Sequence, residues 1–482
     1  MLKSADGGRR NVPFPVEDPE RIPVQRYYDE EFYKLELEHL WPHVWQNACR
    51  LEQIPEVGDW IEYTNVGYSI IVVRTNDGIK AFHNACRHRG VPFAGGSTVD
   101  STHGTAHGNC AKTGFVCPFH GWRWNMDGEN TFVYGKHLFS ERQLDPDDIN
   151  LVPCRVETAI GCAWINLDDD APSLRESLGP VLDRFDAHNT GQLRAEWQFG
   201  TILPANWKVA MEAFMEGYHV MQTHPQLYKA HSEDHVDTYD DPSTGRSSLE
   251  NSRSANEGAK TRTELAAQIE HFELLCEGMA GMIHQKEVDI AKDLFEKMEL
   301  PEDATQGVPM FFGALMQQIT EQLQAKGEPV PDILKVSQSD PLIAVEFLFP
   351  HYFLLPVFSS MSGYRIRPLG PEKCIFEIWS FTMFPEGEEP EPVMEPTMLP
   401  FNSAEFPPIP RQDYSNIPIQ QRGLHSKGFE YMRLAKGVEG LVSNYQRLID
   451  GYIAGVPQEK LAKANNLLGG NFDGQIYDEF GF

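Results

Sequence analysis

Two histidines and a glutamate crowd one short stretch, Asn206 to Pro225, NWKVAMEAFMEGYHVMQTHP. Glu216 and His219 are three residues apart and share a face if the stretch is helical. His224 lies five past His219, which on a regular helix turns it away. It also precedes Pro225, and a residue before proline is pushed out of the α region, so His224 can swing back toward His219 at the helix end. Two imidazoles and a carboxylate make the facial triad that suits non-haem Fe(II) and leaves positions open for oxygen. From spacing alone, Glu216 could be that carboxylate. Taken in isolation, an H-x4-H spacing is more often an ordinary polar helix terminus.

A second constellation upstream changes that balance. Cys86-Arg87-His88-Arg89-Gly90 and Cys117-Pro118-Phe119-His120-Gly121-Trp122 each place one thiol and one imidazole on a tight loop. Together they supply two Cys and two His, the ligand set of a Rieske [2Fe-2S] centre, in which cysteines hold one iron and histidines the other. A structural zinc is the competing reading, since Cys2His2 also closes a tetrahedral site. The Cys-His, Cys-His order argues against it, because common zinc fingers pair like ligands with like.

The elements that must position these groups follow from pattern. Asn206 is a good N-cap, and Trp207 to Thr223 has one Gly and no Pro, so a helix of about four turns is expected. Around the first constellation, from Trp41 to about Asp168, the texture is of short β-rich runs at 60–64, 68–74, 79–84 and 162–167. Turn signals such as Asn76-Asp77-Gly78 separate them, predicting a small antiparallel β domain. Before it, 1–40 reads as an arm with a short helix over Asp29–Leu40, packing on the body or on a neighbouring subunit. After the second constellation, 231–260 is rich in Asp, Ser and Asn and reads as a loop over the site. Thr263–Leu300 and Met310–Lys326 have helical periodicity, 342–384 holds β runs, and Gln420–Gly455 is a helical tail. Phe214, Met215, Val220, Met221, Leu227, Phe347, Phe349, Phe353 and Leu355 are candidates for an apolar pocket.

At 482 residues there is chain for more than one domain. A net charge of −29 argues against nucleic acid or an anionic membrane as partner, since both need a basic surface. Eight cysteines over such a length are not a disulfide framework. With no apolar run at the N-terminus and none of membrane-spanning length, a cytoplasmic location is expected.

The loops C-x-H-R-G and C-P-F-H-G-W, followed by N-W-K and E-x-x-H-x4-H, make the chain resemble the large (alpha) subunit of Rieske non-haem iron ring-hydroxylating oxygenases. The resemblance spans nearly the whole chain. It implies an α+β fold, with an N-terminal Rieske antiparallel β domain at 41–170 after the 1–40 arm. A helix-grip-like catalytic domain of antiparallel sheet and helices follows at 171–482. It implies that Cys86 and Cys117 bind one iron of the cluster, that His88 and His120 bind the other, and that His219 and His224 hold a mononuclear iron. Asp413, eight residues before Gln421 in RQDYSNIPIQQRGLHS, matches the family's third ligand. Glu216, where many members have aspartate, becomes a bridge between a cluster histidine of one subunit and an iron-binding histidine of the next. Asn206 would help position oxygen or the electron route, its plainer reading being the helix cap. The gap from His88 to Cys117 is longer than the family's, and its extra segment carries His103, His107 and Cys110. Cys110 lacks a following Pro-x-His and reads as a free thiol.

The activity so implied takes electrons from NAD(P)H through a reductase, directly or by way of a ferredoxin. It uses O2 to hydroxylate, above all cis-dihydroxylate, an apolar aromatic substrate, as in aromatic hydrocarbon catabolism. A monooxygenase or O-/N-demethylase on the same scaffold is the alternative. A homotrimer or α3β3 assembly would give every iron a neighbouring cluster. Two readings of other classes are an electron carrier using the Rieske domain alone and a structural zinc protein.

Overall fold

The computed structural model describes residues 10–93, 106–229, 260–469, 474–479 and 482. His103 and all but the last residue of the 231–260 loop lie outside them.

The β-rich runs near the N-terminus pair into a seven-stranded antiparallel sheet. Its order is Gln46–Arg50, Cys162–Asn166, Pro153–Ala159, Gly78–His83, Tyr68–Thr75, Asp59–Asn65 and His107–Asn109. A small sheet of Phe115–Val116, Arg123–Trp124 and Asn130–Phe132 stands beside it. The first Cys/His loop leaves the end of Gly78–His83, and the second joins Phe115–Val116 to Arg123–Trp124.

The second half is built on a six-stranded sheet ordered Glu346–Leu348, Tyr352–Pro356, Met361–Gly370, Lys373–Thr382, Arg194–Leu203 and Thr397–Met398. The long strands Arg194–Leu203, Met361–Gly370 and Lys373–Thr382 pair antiparallel along most of their length. Their apolar faces join the helices in one continuous core. A buried ion network docks the two halves: Arg365 forks onto Glu377 at 2.7 and 2.8 Å and donates its other nitrogen to the carbonyls of Asn47 and Ala48 on the first sheet. Burial opposes charge on Glu377, but Arg365 and Arg367 outweigh it and pull its carboxyl down to about 2.

The arm packs on its own chain's body. Its helix runs Glu30–His39 with Asp29 capping through Phe32 N–H. Strand Arg21–Pro23 pairs with Tyr431–Arg433. Glu36 reaches Lys208 at 2.5 Å and takes the Trp207 indole N–H at 3.1 Å. Neither Glu36 nor Lys208 is exposed to solvent, and the ammonium also faces the rings of Tyr27, Phe32 and Trp207. Removing one member of such a pair leaves a buried charge alone, so Glu36→Ala should cost about 3–5 kcal/mol. A lowered thermal midpoint would register it.

Two expected helices are divided. The 263–300 region is Thr261–Gly278 and Gln285–Lys297, parted where Ala280 and Gly281 take positive φ. The tail is Pro408–Leu424 and Gly440–Ala454, with the strand Tyr431–Arg433 between them. Pro408 and Pro410 hid the start of the first, although prolines in a first turn lose only N–H groups that have no intrahelical partner, and Pro418 stands inside the helix.

Candidate metal centres

The expected four-turn helix after Asn206 is broken. Trp207–Glu212 is helical, the chain then tightens through i→i+3 bonds at Phe214 and Met215, and a short helix resumes at Val220–Thr223. Just before this restart, Glu216 Oε2 accepts the backbone N–H of His219, the residue at the helix N-cap, at 3.0 Å. Its Oε1 meanwhile accepts His219 Nδ1 at 2.7 Å. Glu216 therefore binds the far side of that imidazole. His224 ends the short helix at φ −121 and ψ 58, outside the α region, and Pro225 opens the next helix.

Asp413 arrives from 189 residues away on the helix Pro408–Leu424, not from a loop. Ile409, Asp413, Tyr414, Ile417, Gln421 and Leu424 form its buried stripe, so the acid stands on an otherwise core-facing side. Its Oδ1 lies 3.0 Å from His224 Nε2 and 3.7 Å from His219 Nε2. Among the described residues, His219, His224 and Asp413 are the only three His, Cys, Asp or Glu side chains whose donor atoms gather within 4.8 Å. The centre is dry on the inside: the His224 and Asp413 side chains are 3% and 4% exposed, and that of His219 24%. Burial works against charge on His219, but Glu216, Asp413 and Glu439 outweigh it and raise its pKa.

Asn206 caps the helix as expected. Its Oδ1 caps through Lys208 N–H, and its amide nitrogen is bound to the Pro371 carbonyl. Gln421 accepts the Asn206 backbone N–H and donates to Tyr27 O and Glu372, which makes it a knot between arm, helix and sheet. A residue missed in sequence is Gln412, whose Oε1 accepts from His224 Nδ1 at 2.7 Å. Its place beside Asp413 was the one available signal. Of the pocket candidates, Phe347 and Phe349 pack on Tyr445 and are core. Phe214 and Phe353 are core as well, in a buried aromatic cluster with Tyr364 and Phe376. The Met221 side chain lies outside the described ones.

The two Cys/His loops are built alike. In each, the Cys N–H donates to the carbonyl five residues on, Val91 or Trp122, and the glycine four residues on donates back to the Cys carbonyl. Gly90 and Gly121 take φ of +77 and +71, a conformation that glycine adopts freely. The loops bring His88 and His120 to 4.6 Å between ring centroids, and His88 stacks on Trp122 at 5.0 Å. Cys86 and Cys117 are buried and in contact. Burial pushes the Cys86 thiol up to about 11, while the backbone N–H groups of His88 and Arg89 aim at its sulfur and pull the other way. Cys110 is a buried thiol in the same core, its N–H bonded to Gly58 O. His107 ends up on the sheet's edge strand.

A model of the ring hydroxylating alpha subunit, catalytic domain, matches residues 182–455, more than half of the chain, and a Rieske [2Fe-2S] domain model matches 44–133. The chain belongs to the Rieske ring-hydroxylating oxygenase alpha-subunit family. It is 29% identical to the carnitine monooxygenase oxygenase subunit of Escherichia coli K12 over 42% of this chain and 52% of that one. It is 30% identical to the glycine betaine monooxygenase oxygenase subunit of Chromohalobacter salexigens over 46% of each. The match thus spans about half the length of these curated relatives. A solved naphthalene 1,2-dioxygenase with indole bound shares the fold over 96% of this chain and 98% of that one, with a TM-score of 0.60 and 18% identity.

Membership in this family of oxygenases brings a Rieske cluster and a mononuclear iron, and the side chains fit both. His88 Nδ1 is buried with no hydrogen-bond partner, the state of an imidazole nitrogen kept for a metal. The four loop donors do not converge on one point, as a tetrahedral zinc with bonds of about 2.0–2.3 Å would require. A two-iron cluster needs them spread in pairs. The His219–His224–Asp413 trio has the donor chemistry of an Fe(II) facial triad. No helix of the described residues is long and apolar enough to cross a membrane.

Proposed function

We propose that this chain is the oxygenase component of a multicomponent system. Cys86, Cys117, His88 and His120 hold the cluster, and His219, His224 and Asp413 hold the iron. The observation that carries this reading is the convergence of those last three side chains with a carboxylate behind His219. The iron supplies O2 activation and the cluster supplies single electrons. The protein's part is orientation and dryness. Glu216 holds the Nδ1 proton of His219 and leaves Nε2 free to ligate.

The substrate class is read from the apolar surroundings of the centre, where a buried aromatic cluster packs. Phe214 stands 4.9 to 5.5 Å from Phe353, Tyr364 and Phe376, and Phe376 packs on Tyr414, the neighbour of Asp413. Apolar surroundings of this kind support an apolar aromatic substrate and its hydroxylation. A second reading is monooxygenation of a quaternary ammonium compound. The carnitine and glycine betaine relatives favour it, and aromatic faces also hold such cations. Turnover with a reductase under labelled O2 separates the two. Two labelled atoms in a cis-diol support the first, one labelled atom with a dealkylated amine supports the second, and reductase-fed protein that oxygenates neither class overturns both.

A reductase, with or without a ferredoxin, delivers the electrons. Phe119 is 58% exposed beside the half-buried His120, which supports docking of the cluster face on a second copy, in a homotrimer or an α3β3 assembly. Glu216 accepts two hydrogen bonds from His219, and glutamine would replace one acceptor with a donor. Glu216→Gln is therefore expected to keep both metal groups while turnover falls about 10–100-fold. Iron content and steady-state rate measured together check this.

A further inference from the structure

We propose that Gln412 is the positioning residue for His224, so that the two histidines of the centre are backed by chemically different groups. This rests on the reading that His219, His224 and Asp413 hold the metal. His224 Nδ1 lies 2.7 Å from Gln412 Oε1. An amide oxygen only accepts, so Nδ1 carries the proton and the lone pair is on Nε2. Nε2 is the atom that meets Asp413 at 3.0 Å.

Gln412 is itself held. Gln226 donates to the same Oε1 at 2.8 Å and accepts from Gln412 Nε2 at 3.3 Å, a pair of facing amides. One turn further along the helix Pro408–Leu424, Asn416 donates to Thr223 Oγ1 at 3.3 Å. These ties join the helix that carries Asp413 to the segment that carries His224. Residue 413 is thus a candidate ligand while residue 412 aims another.

His219 is backed by the carboxylate of Glu216 and is the more exposed of the two; His224 is backed by a neutral amide and is enclosed. A carboxylate at 412 would add a negative charge inside the protein beside the one on Asp413, which an amide avoids. The amide keeps the tautomer fixed without that charge. His224 is then the fixed anchor of the centre, and His219 is the ligand coupled to charge outside it.

The test uses full-length protein with its cluster intact and the mononuclear site emptied, titrated with Co(II) against a competing chelator and followed by the metal's visible absorption. His224→Ala should lose Co(II). If it binds as well as the parent protein, the ligand reading fails and not the role of Gln412. Given that loss, Gln412→Leu should weaken Co(II) binding about 10–100-fold with an unchanged cluster spectrum. Gln412→Glu keeps an acceptor and should bind within a few-fold of the parent, with shifted absorption bands. Gln226→Ala should weaken binding by less than Gln412→Leu. Parent-like affinity in Gln412→Leu, or a Gln412→Glu as weak as the leucine variant, overturns the proposal. If Gln412→Leu fails to fold, parent-like affinity and unshifted bands in both other variants overturn it.

Discussion

Asp413→Ala is expected to abolish turnover and strip the mononuclear iron while leaving the cluster's colour and reduced-state signal intact. Asp413 is 4% exposed and stands between two imidazoles, and no fourth His, Cys, Asp or Glu of the described residues gathers with them to take its place. Two neutral imidazoles alone bind Fe(II) weakly, because the site then lacks both an anion and its third donor. The loss should exceed the roughly 10–100-fold that follows removal of an outer hydrogen-bond partner. The parent protein should carry about three irons and two sulfides per chain, and the variant about two irons with the same sulfide. Iron retained in full by Asp413→Ala would move the third ligand elsewhere.

Cys117→Ser has the complementary signature. Cys117 is 2% exposed and fixed by its own N–H to Trp122 O, so a serine hydroxyl would stand where the thiol stands. A serine oxygen is a poor donor to a cluster that thiolates hold, and the loop offers no second sulfur. Cys110 lies in the same core but is tethered to Gly58. Visible absorption and sulfide should disappear, and turnover with them, while mononuclear metal binding persists. A normal Rieske spectrum in this variant would reassign the ligand. With Asp413→Ala, the pair separates the two centres in one set of measurements.

The parts of this protein legible in its sequence are those in which geometry is set locally. Each Cys/His loop is closed by hydrogen bonds within six residues and by a glycine whose conformation other residues adopt with strain, so motif and shape are nearly the same thing. Asn206 as a cap, His224 leaving the helix before Pro225, and the β-rich runs of the first sheet are likewise decided by neighbours in the chain. The break between Glu212 and Val220 was not legible, because helix propensity there is good, yet the helix ends at Glu212 and the Glu216 carboxylate then accepts from both the backbone N–H and the ring of His219. The prolines of Pro408–Leu424 masked a helix whose buried stripe is set by packing against the sheet and the metal-bearing segment. Only the tertiary structure brought Asp413 across 189 residues to His224 and found Gln412 behind His224. Ligand type is written in local sequence. The convergence of ligands and the partners that orient them depend on the long-range burial of one helix against another, which local spacing does not record.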